Sequence, residues 1–250
     1  MRTMADMNKS IAAYDDLGRV ASYDADMDIM HPNRHRMADV MVEVLAAGDS
    51  APSLVLDLGT GTGFLLQRLL AAFPSLQAVA VDGARPMVAL ARARLGELAG
   101  RVDFRVGDFR ELARICSGVC AVDAVVSSFA LHHLAPEAKS ALAETAFALL
   151  HPGGWFLSAD LILAEDDFLE DLTQRLRARG IVRRAAARDA RFLDVIHTRA
   201  FLRQLEENEG DQPQRLANDL AALEHAGFEH VAVLWRDTRE VLIGGVKPQA

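Results

Sequence analysis

The chain has 250 residues, 51% of them hydrophobic and 25% charged, with a formal net charge of −8 at pH 7. That length suits one large domain, or one domain with a substantial insertion, and buries roughly three quarters of the unfolded surface without disulfide staples. The composition excludes a membrane-spanning protein, because no apolar run approaches ~18 residues, and the acidity argues against a protein that coats nucleic acid.

The N-terminal stretch "MRTMADMNKSIAAYDD" is polar and lacks the apolar core of a secretory signal, so a cytoplasmic location is expected. Residues 1–35 carry helical pattern and no strand. Met37, Val40, Met41, Val44 and Leu45 then recur at helical spacing up to Gly48. From there short apolar runs alternate with amphipathic stretches. The runs are "LVLDL" (54–58), "QAVAVD" (77–82), "VDFRVGD" (102–108), "VDAVVSS" (122–128) and "GWFLSAD" (154–160). Between them Leu65, Leu66, Leu69, Leu70 and Phe73 mark one helix; Pro86 opens a second that runs through Leu95, and Pro136 a third that ends before "HPGG". Strands alternating with helices predict right-handed crossovers and a mostly parallel sheet covered on both faces. "HVAVLWR" and "REVLIGGV" predict a closing antiparallel hairpin across Asp237-Thr238.

Two segments, 1–35 and 161–215, stand outside this alternation with helical pattern and no convincing strand. The division expected is an N-terminal helical lid (1–35), a ligand-binding core (36–160), a helical insertion (161–215) and a completion of the core with its hairpin (216–250). The insertion holds nine arginines between Arg175 and Arg203, after the acidic run "EDDFLED" at 165–171. Interleaved salt bridges on solvated helix faces explain them; a docking surface for an anionic substrate is the alternative. Apolar positions between 192 and 205 offer a face for a homodimer. The two cysteines, Cys116 and Cys120, are too few for a disulfide framework and are expected buried and reduced.

The chemistry concentrates in "LVLDLGTGTGF", residues 54–64. Gly59, Gly61 and Gly63, with Thr60 between the first two, follow a strand and precede a helix, so the backbone can turn sharply and approach a ligand. A dinucleotide fingerprint has a third glycine where this chain has Phe64, which argues against an NAD-dependent oxidoreductase. Asp57, Asp82 and Asp108 lie at or near the carboxyl ends of three successive strands. In an open α/β sheet ligands bind beyond those ends, where an acid after the second strand can take the hydroxyls of a ribose. Each acid alone can also be a helix cap or turn former.

With "VAVDGARPM", "VGDF" and "LHPGG" following "LDLGTGTG" in order, residues 50–160 and the hairpin at 225–246 resemble the class I S-adenosylmethionine-dependent methyltransferases. The resemblance implies a Rossmann-like seven-stranded sheet in the order 3-2-1-4-5-7-6 with only strand 7 antiparallel, and S-adenosyl-L-methionine as cofactor. It implies further that Asp57, Gly59, Thr60, Gly61 and Gly63 hold the methionine moiety, Asp82 the ribose, and Met87, Asp108 and Phe109 the adenine, with Phe129 beside the cofactor. Within the superfamily the chain looks like the branch that includes the carboxy-S-adenosylmethionine synthase, from which the double histidine at 132–133 departs.

"SSFALHHL" follows the fourth strand, where the methyl group should point, and Asp160 ends the fifth. His132 oriented by Asp160 is the expected general base; the alternative is that the histidines cap a helix or pack near the cofactor. Tyr14, Tyr23, Arg34 and His35 are expected to line the lid over a small-molecule acceptor. No metal is expected, because "SSFALHHL" has no carboxylate, and His31 and His35 flank Pro32 without a third ligand. The leading expectation is O- or N-methylation of a small molecule. Alternatives are an enzyme of transfer RNA modification, whether a carboxy-S-adenosylmethionine synthase or an RNA methyltransferase, and a protein that binds the cofactor without catalysis.

Overall fold

A computed structural model describes residues 9–48, 50–186 and 189–249. Residues 1–8 of the expected lid and Arg188 of the arginine run therefore lie outside the described residues. In chain order the elements are α1 (Lys9–Ala13), α2 (Leu17–Met30), α3 (Arg34–Ala46), β1 (Leu54–Leu58), α4 (Phe64–Ala72), β2 (Gln77–Asp82), α5 (Arg85–Leu95), β3 (Val102–Val106) and α6 (Leu112–Ile115). There follow β4 (Val122–Ser128), α7 (Pro136–Leu149), β5 (Leu150–Leu163), α8 (Asp167–Arg184), α9 (Val195–Glu209), β6 (Gln214–Arg215), α10 (Leu216–His225), β7 (Glu229–Asp237) and β8 (Glu240–Val246).

The strands form one sheet in the order β3-β2-β1-β4-β5-β8-β7, with β6 paired to β5 off that path. Strand β8 is antiparallel to both neighbours and the other pairs are parallel, so the implied order 3-2-1-4-5-7-6 holds once β6 is set aside. Two expectations need correction. The insertion is not free of strand: β5 runs on to Leu163 and β6 pairs with it, Ile162 opposite Gln214 and Leu163 opposite Arg215. A two-residue polar strand leaves no alternation to detect. The hairpin turns at Thr238-Arg239, one residue later than expected, because Asp237 still pairs with Glu240.

Alternation along β1 shows how the core is divided. Val55 faces Met37, Met41, Leu65 and Leu69 under α3 and α4, whereas Leu56 and Leu58 face Leu142, Ala146 and Leu223 under α7 and α10. Both faces are dry, as a central parallel strand requires. By the two-residue period Asp57 shares the face of Val55. Pro86 and Pro136 sit in the first turns of α5 and α7, where a missing N–H costs nothing. The carboxylates of Asp16, Asp166 and Asp194 accept backbone N–H groups at the starts of α2, α8 and α9, each cap worth about 1 kcal/mol.

Helices α2, α8 and α9 build a satellite core of Met30, Ile181, Phe192 and Leu202, with Phe201 and Leu205 against it. This cluster takes up Phe192, Phe201, Leu202 and Leu205 of the apolar positions offered for a dimer face, whereas Leu193, Ile196 and Ala200 are exposed. The charged runs interleave. Asp171 pairs with Arg175 and Arg199, Glu206 with Arg177 and Arg239, and Arg191 with Asp26 and Asp189. Cys116 is buried but Cys120, against expectation, is exposed, and both are free. Among the described residues no helix is long and apolar enough to cross a membrane.

Candidate active site

Strand order reverses between β1 and β4, and the glycine turn lies at the carboxyl end of β1. Gly59 has φ +70°, and a Cβ there would stand 2.3 Å from the Cβ of Ala130 in the loop after β4. A side chain would force those loops apart. Asp82 fixes the turn from the next strand: its Oδ2 accepts from Gly61 N at 2.8 Å and its Oδ1 from Ala84 N at 2.9 Å. Burial raises its pKa against those two donors.

Three cavities meet above this turn. The first, about 610 Å³, is lined by Gly59, Gly61, Asp82, Met87, Asp108 and Phe109, among others. The second, about 370 Å³, is lined by Asp57, Thr60, Gly61, Thr62, Arg34 and Ser128, among others. The third, about 390 Å³, lies toward α8 and α9 and includes Arg19, His31, His132, Arg177, Glu206, Glu209 and Asp211 in its wall. Phe129 and Tyr23 border all three, and Tyr14 borders the first and third. Phe129 takes φ +52°, a backbone conformation unfavourable for a bulky residue, held by its N–H on the Ala159 carbonyl at 2.8 Å.

In the second cavity Asp57 is 1% exposed, and its Oδ2, like the hydroxyl of Thr60, has no hydrogen-bond partner. Burial pushes its carboxyl up to about 7. Burial outweighs the nearby Thr60 hydroxyl, which favours the ionised form, and an Oδ2 left without a donor at this depth is costly. Gly63, expected in the same group, has φ +77° and packs its Cα side against Ala91, so it serves the turn from behind. Arg34 is buried, pairs with Asp24 and Asp28, and stacks 4.3 Å from the Phe64 ring centroid. Asp24 also accepts from the Thr62 hydroxyl at 3.0 Å and pairs with Arg94, so one acid of α2 ties the glycine turn to α3 and α5. Nothing in the spacing of Asp24 signals this. His35 is not brought to the cavities; it is half exposed and bonds Asp28 and Arg68.

Asp108 reaches the first cavity, but it also caps the turn after β3, accepting from Arg110 N at 2.9 Å and pairing with the Arg110 guanidinium at 2.5 Å. Both readings of this acid are thus present in one geometry.

In the third cavity the Tyr14 hydroxyl donates to Glu209 Oε2 at 2.9 Å, and Arg19 Nε donates to the other oxygen at 2.8 Å. Burial holds the Tyr14 and Tyr23 hydroxyls protonated, well above the usual phenol range. His132 meets Asp160 as expected, through its backbone N at 2.9 Å and through Nδ1 at 2.5 Å. Burial alone would lower its pKa, but Asp160 and Asp211 outweigh it and bring the imidazole to about 9. His31 is the opposite case. Its Nδ1 lies 2.9 Å from Glu240 Oε1 and its Nε2 3.3 Å from the Arg177 guanidinium; burial lowers its pKa, against the Glu240 bond, and keeps it neutral.

A family model for a methyltransferase domain matches residues 55–154, from β1 through the start of β5. Residues 55–154 thus carry a methyltransferase domain. An uncharacterized methyltransferase of Geobacillus kaustophilus is 30% identical over 132 residues, 53% of this chain and 58% of that protein. A carboxy-S-adenosyl-L-methionine synthase of Campylobacter curvus is 30% identical over 124 residues, 50% of this chain and 51% of that protein. The matched part of the chain thus spans about half the length of these curated relatives. The solved DhpI–SAH complex shares the fold at a TM-score of 0.61 and 19% identity, covering 99% of each chain. The methyltransferase domain contains the glycine turn and all three strand-end acids, whereas the third cavity draws most of its wall from residues outside it.

Proposed function

We propose that this protein transfers the methyl group of S-adenosylmethionine to an oxygen or nitrogen nucleophile of a small polar molecule. The observation that carries the reading is the wall of Tyr14, Tyr23 and Phe129 that the cavity along the glycine turn shares with a charged cavity under α2, α8 and α9. The residues fit the cofactor. The unpartnered Asp57 carboxylate and Thr60 hydroxyl suit the ammonium end of an amino acid, and Arg34 in the same cavity suits its carboxylate. Asp82 suits a ribose, and Met87 and Phe109 the faces of an adenine, with Asp108 at its amino edge.

When bound, S-adenosylmethionine supplies a methyl group on an already activated sulfonium. The chain's own residues then have four tasks. Tyr14, Tyr23 and Phe129 form the shared wall and exclude water, and alignment of acceptor with cofactor can contribute ~7–11 kcal/mol. Arg19 and Arg177, each paired with an acid, present fixed charge to a polar acceptor. His31, neutral and oriented by Glu240, takes the proton of a hydroxyl acceptor. His132, clamped by Asp160 through its backbone N and Nδ1, orients the loop after β4.

The net charge of −8 and the placement of the third cavity beneath helices favour a small molecule over transfer RNA. The test is labelled methyl transfer from S-adenosylmethionine into a metabolite extract and, separately, into transfer RNA. Label in the small-molecule fraction is expected; label in transfer RNA, or in neither, overturns the reading. The likeness to a carboxy-S-adenosyl-L-methionine synthase over half the chain favours a second reading, modification of the cofactor itself. Mass spectrometry of the nucleoside after incubation distinguishes the two.

A further inference from the structure

The loop after β4 and the segment after α9 converge on one point. Gln212 N donates to the His132 carbonyl at 2.6 Å and Gln212 Nε2 to the His133 carbonyl at 3.2 Å, which sets Asp211 against both imidazoles. Asp211 Oδ1 lies 3.0 Å from His133 Nδ1 and 3.7 Å from His132 Nε2. All three ligand atoms lie within 4.8 Å of one another. The His133 Nδ1 and Asp211 Oδ1 atoms are buried and make no hydrogen bond despite their closeness: they face each other without the alignment a shared proton needs. The far side of His132 is fixed as well, with Nδ1 on Asp160, the carboxylate–histidine arrangement that orients a metal-bound imidazole.

We propose that His132 Nε2, His133 Nδ1 and the Asp211 carboxylate bind a divalent first-row transition metal ion, with Asp160 as the positioning residue behind His132. Two atoms sharing an ion at ~2.0–2.2 Å stand roughly 3–3.6 Å apart at tetrahedral or right angles, close to the spacing of Asp211 to each ring. Two imidazoles and one carboxylate favour zinc, iron, cobalt or nickel over magnesium or calcium, whose ligands are oxygens. Three protein ligands leave coordination positions free. His133 borders the first cavity and His132 and Asp211 the third, so those positions lie where cofactor and acceptor cavities adjoin. The ion also ties the segment after α9 to the core. No spacing in the sequence reveals the set, because Asp211 stands 79 positions beyond His132. The proposal rests on this geometry and not on the methyl-transfer reading.

The test is titration of EDTA-stripped full-length protein with Co²⁺, followed by visible absorption and by proton NMR of hyperfine-shifted exchangeable imidazole signals. One Co²⁺ per chain, ligand-field bands and two such signals are expected from the unaltered protein. Asp211→Asn and His133→Gln should abolish the bands, and Asp160→Asn should weaken binding about 10–100-fold. Each variant is checked by circular dichroism and its urea midpoint, which report folding and keep loss of the metal site distinct from loss of the fold and from the cofactor reading. No bands in the unaltered protein, absence of the two signals, or bands that survive in either ligand variant overturns the proposal.

Discussion

His31 and Glu240, 209 positions apart, meet at 2.9 Å, joining the end of α2 to the start of β8. The bond fixes which ring nitrogen of His31 carries a proton and leaves Nε2 toward Arg177 and the third cavity. A neutral, oriented imidazole is what a hydroxyl acceptor needs. His31→Asn should therefore lower the rate of methyl transfer to a hydroxyl acceptor by about 10²–10⁴ while leaving the S-adenosylhomocysteine dissociation constant within about twofold. Rates of labelled methyl transfer, with binding measured by calorimetry, check this; an unchanged rate removes His31 from the mechanism.

Asp57 gives a pH dependence with opposite signs for stability and binding. Its folded carboxyl is raised to about 7, so the folded protein holds a proton that the unfolded chain releases near the ordinary carboxylate range. Stability from this group is full at low pH, falls as pH rises toward about 7, and is level above that. Binding of an ammonium group needs the ionised form. Affinity for S-adenosylhomocysteine should accordingly rise between pH 5 and about 7. Asp57→Asn should flatten both profiles, raise the stability of the free protein at pH 8 by about 1–3 kcal/mol, and weaken cofactor binding about tenfold or more. Denaturant titrations and calorimetry at several pH values read each effect.

Gly59 is a backbone requirement. With φ +70° and the Ala130 Cβ 2.3 Å from where its own Cβ would be, Gly59→Ala should cost about 2–4 kcal/mol and displace the loop after β4. Gly100, with nothing within 4 Å, is the control: Gly100→Ala should change stability by less than about 0.5 kcal/mol. Urea midpoints of the two variants decide the comparison.

Strands β1, β2 and β4 were legible because they are buried on both faces and read as apolar runs, whereas β3, at the sheet edge, is only half-buried and reads as an alternation. The glycine turn, Asp57 and Asp82 were legible because they sit at fixed offsets from those runs, and Met87 and Phe109 through the family resemblance; Gly59, Gly61 and these four side chains border the cavities at the switch point. The third cavity was not legible. Its charged groups come from α2, the loop after β4, α8, α9 and the residues that follow, and polar residues on amphipathic helices show no spacing that says which of them face inward. Asp160 beside His132 was foreseen because one lies on β5 and the other just after its neighbour β4; Asp211, which faces both His132 and His133, was not. Arg34 was read as a lid residue, yet it lines the cavity of Asp57, and His35, one position on, turns outward.

The account stands on an adenosyl amino acid seated along β1 and β2, and calorimetric titration of S-adenosylhomocysteine into the unaltered protein and Asp82→Ala tests it most directly. One site per chain is predicted, weakened about 10–100-fold in the variant, with no comparable heat from NAD. Tighter binding of NAD, no binding of S-adenosylhomocysteine, or equal affinity in Asp82→Ala would contradict it.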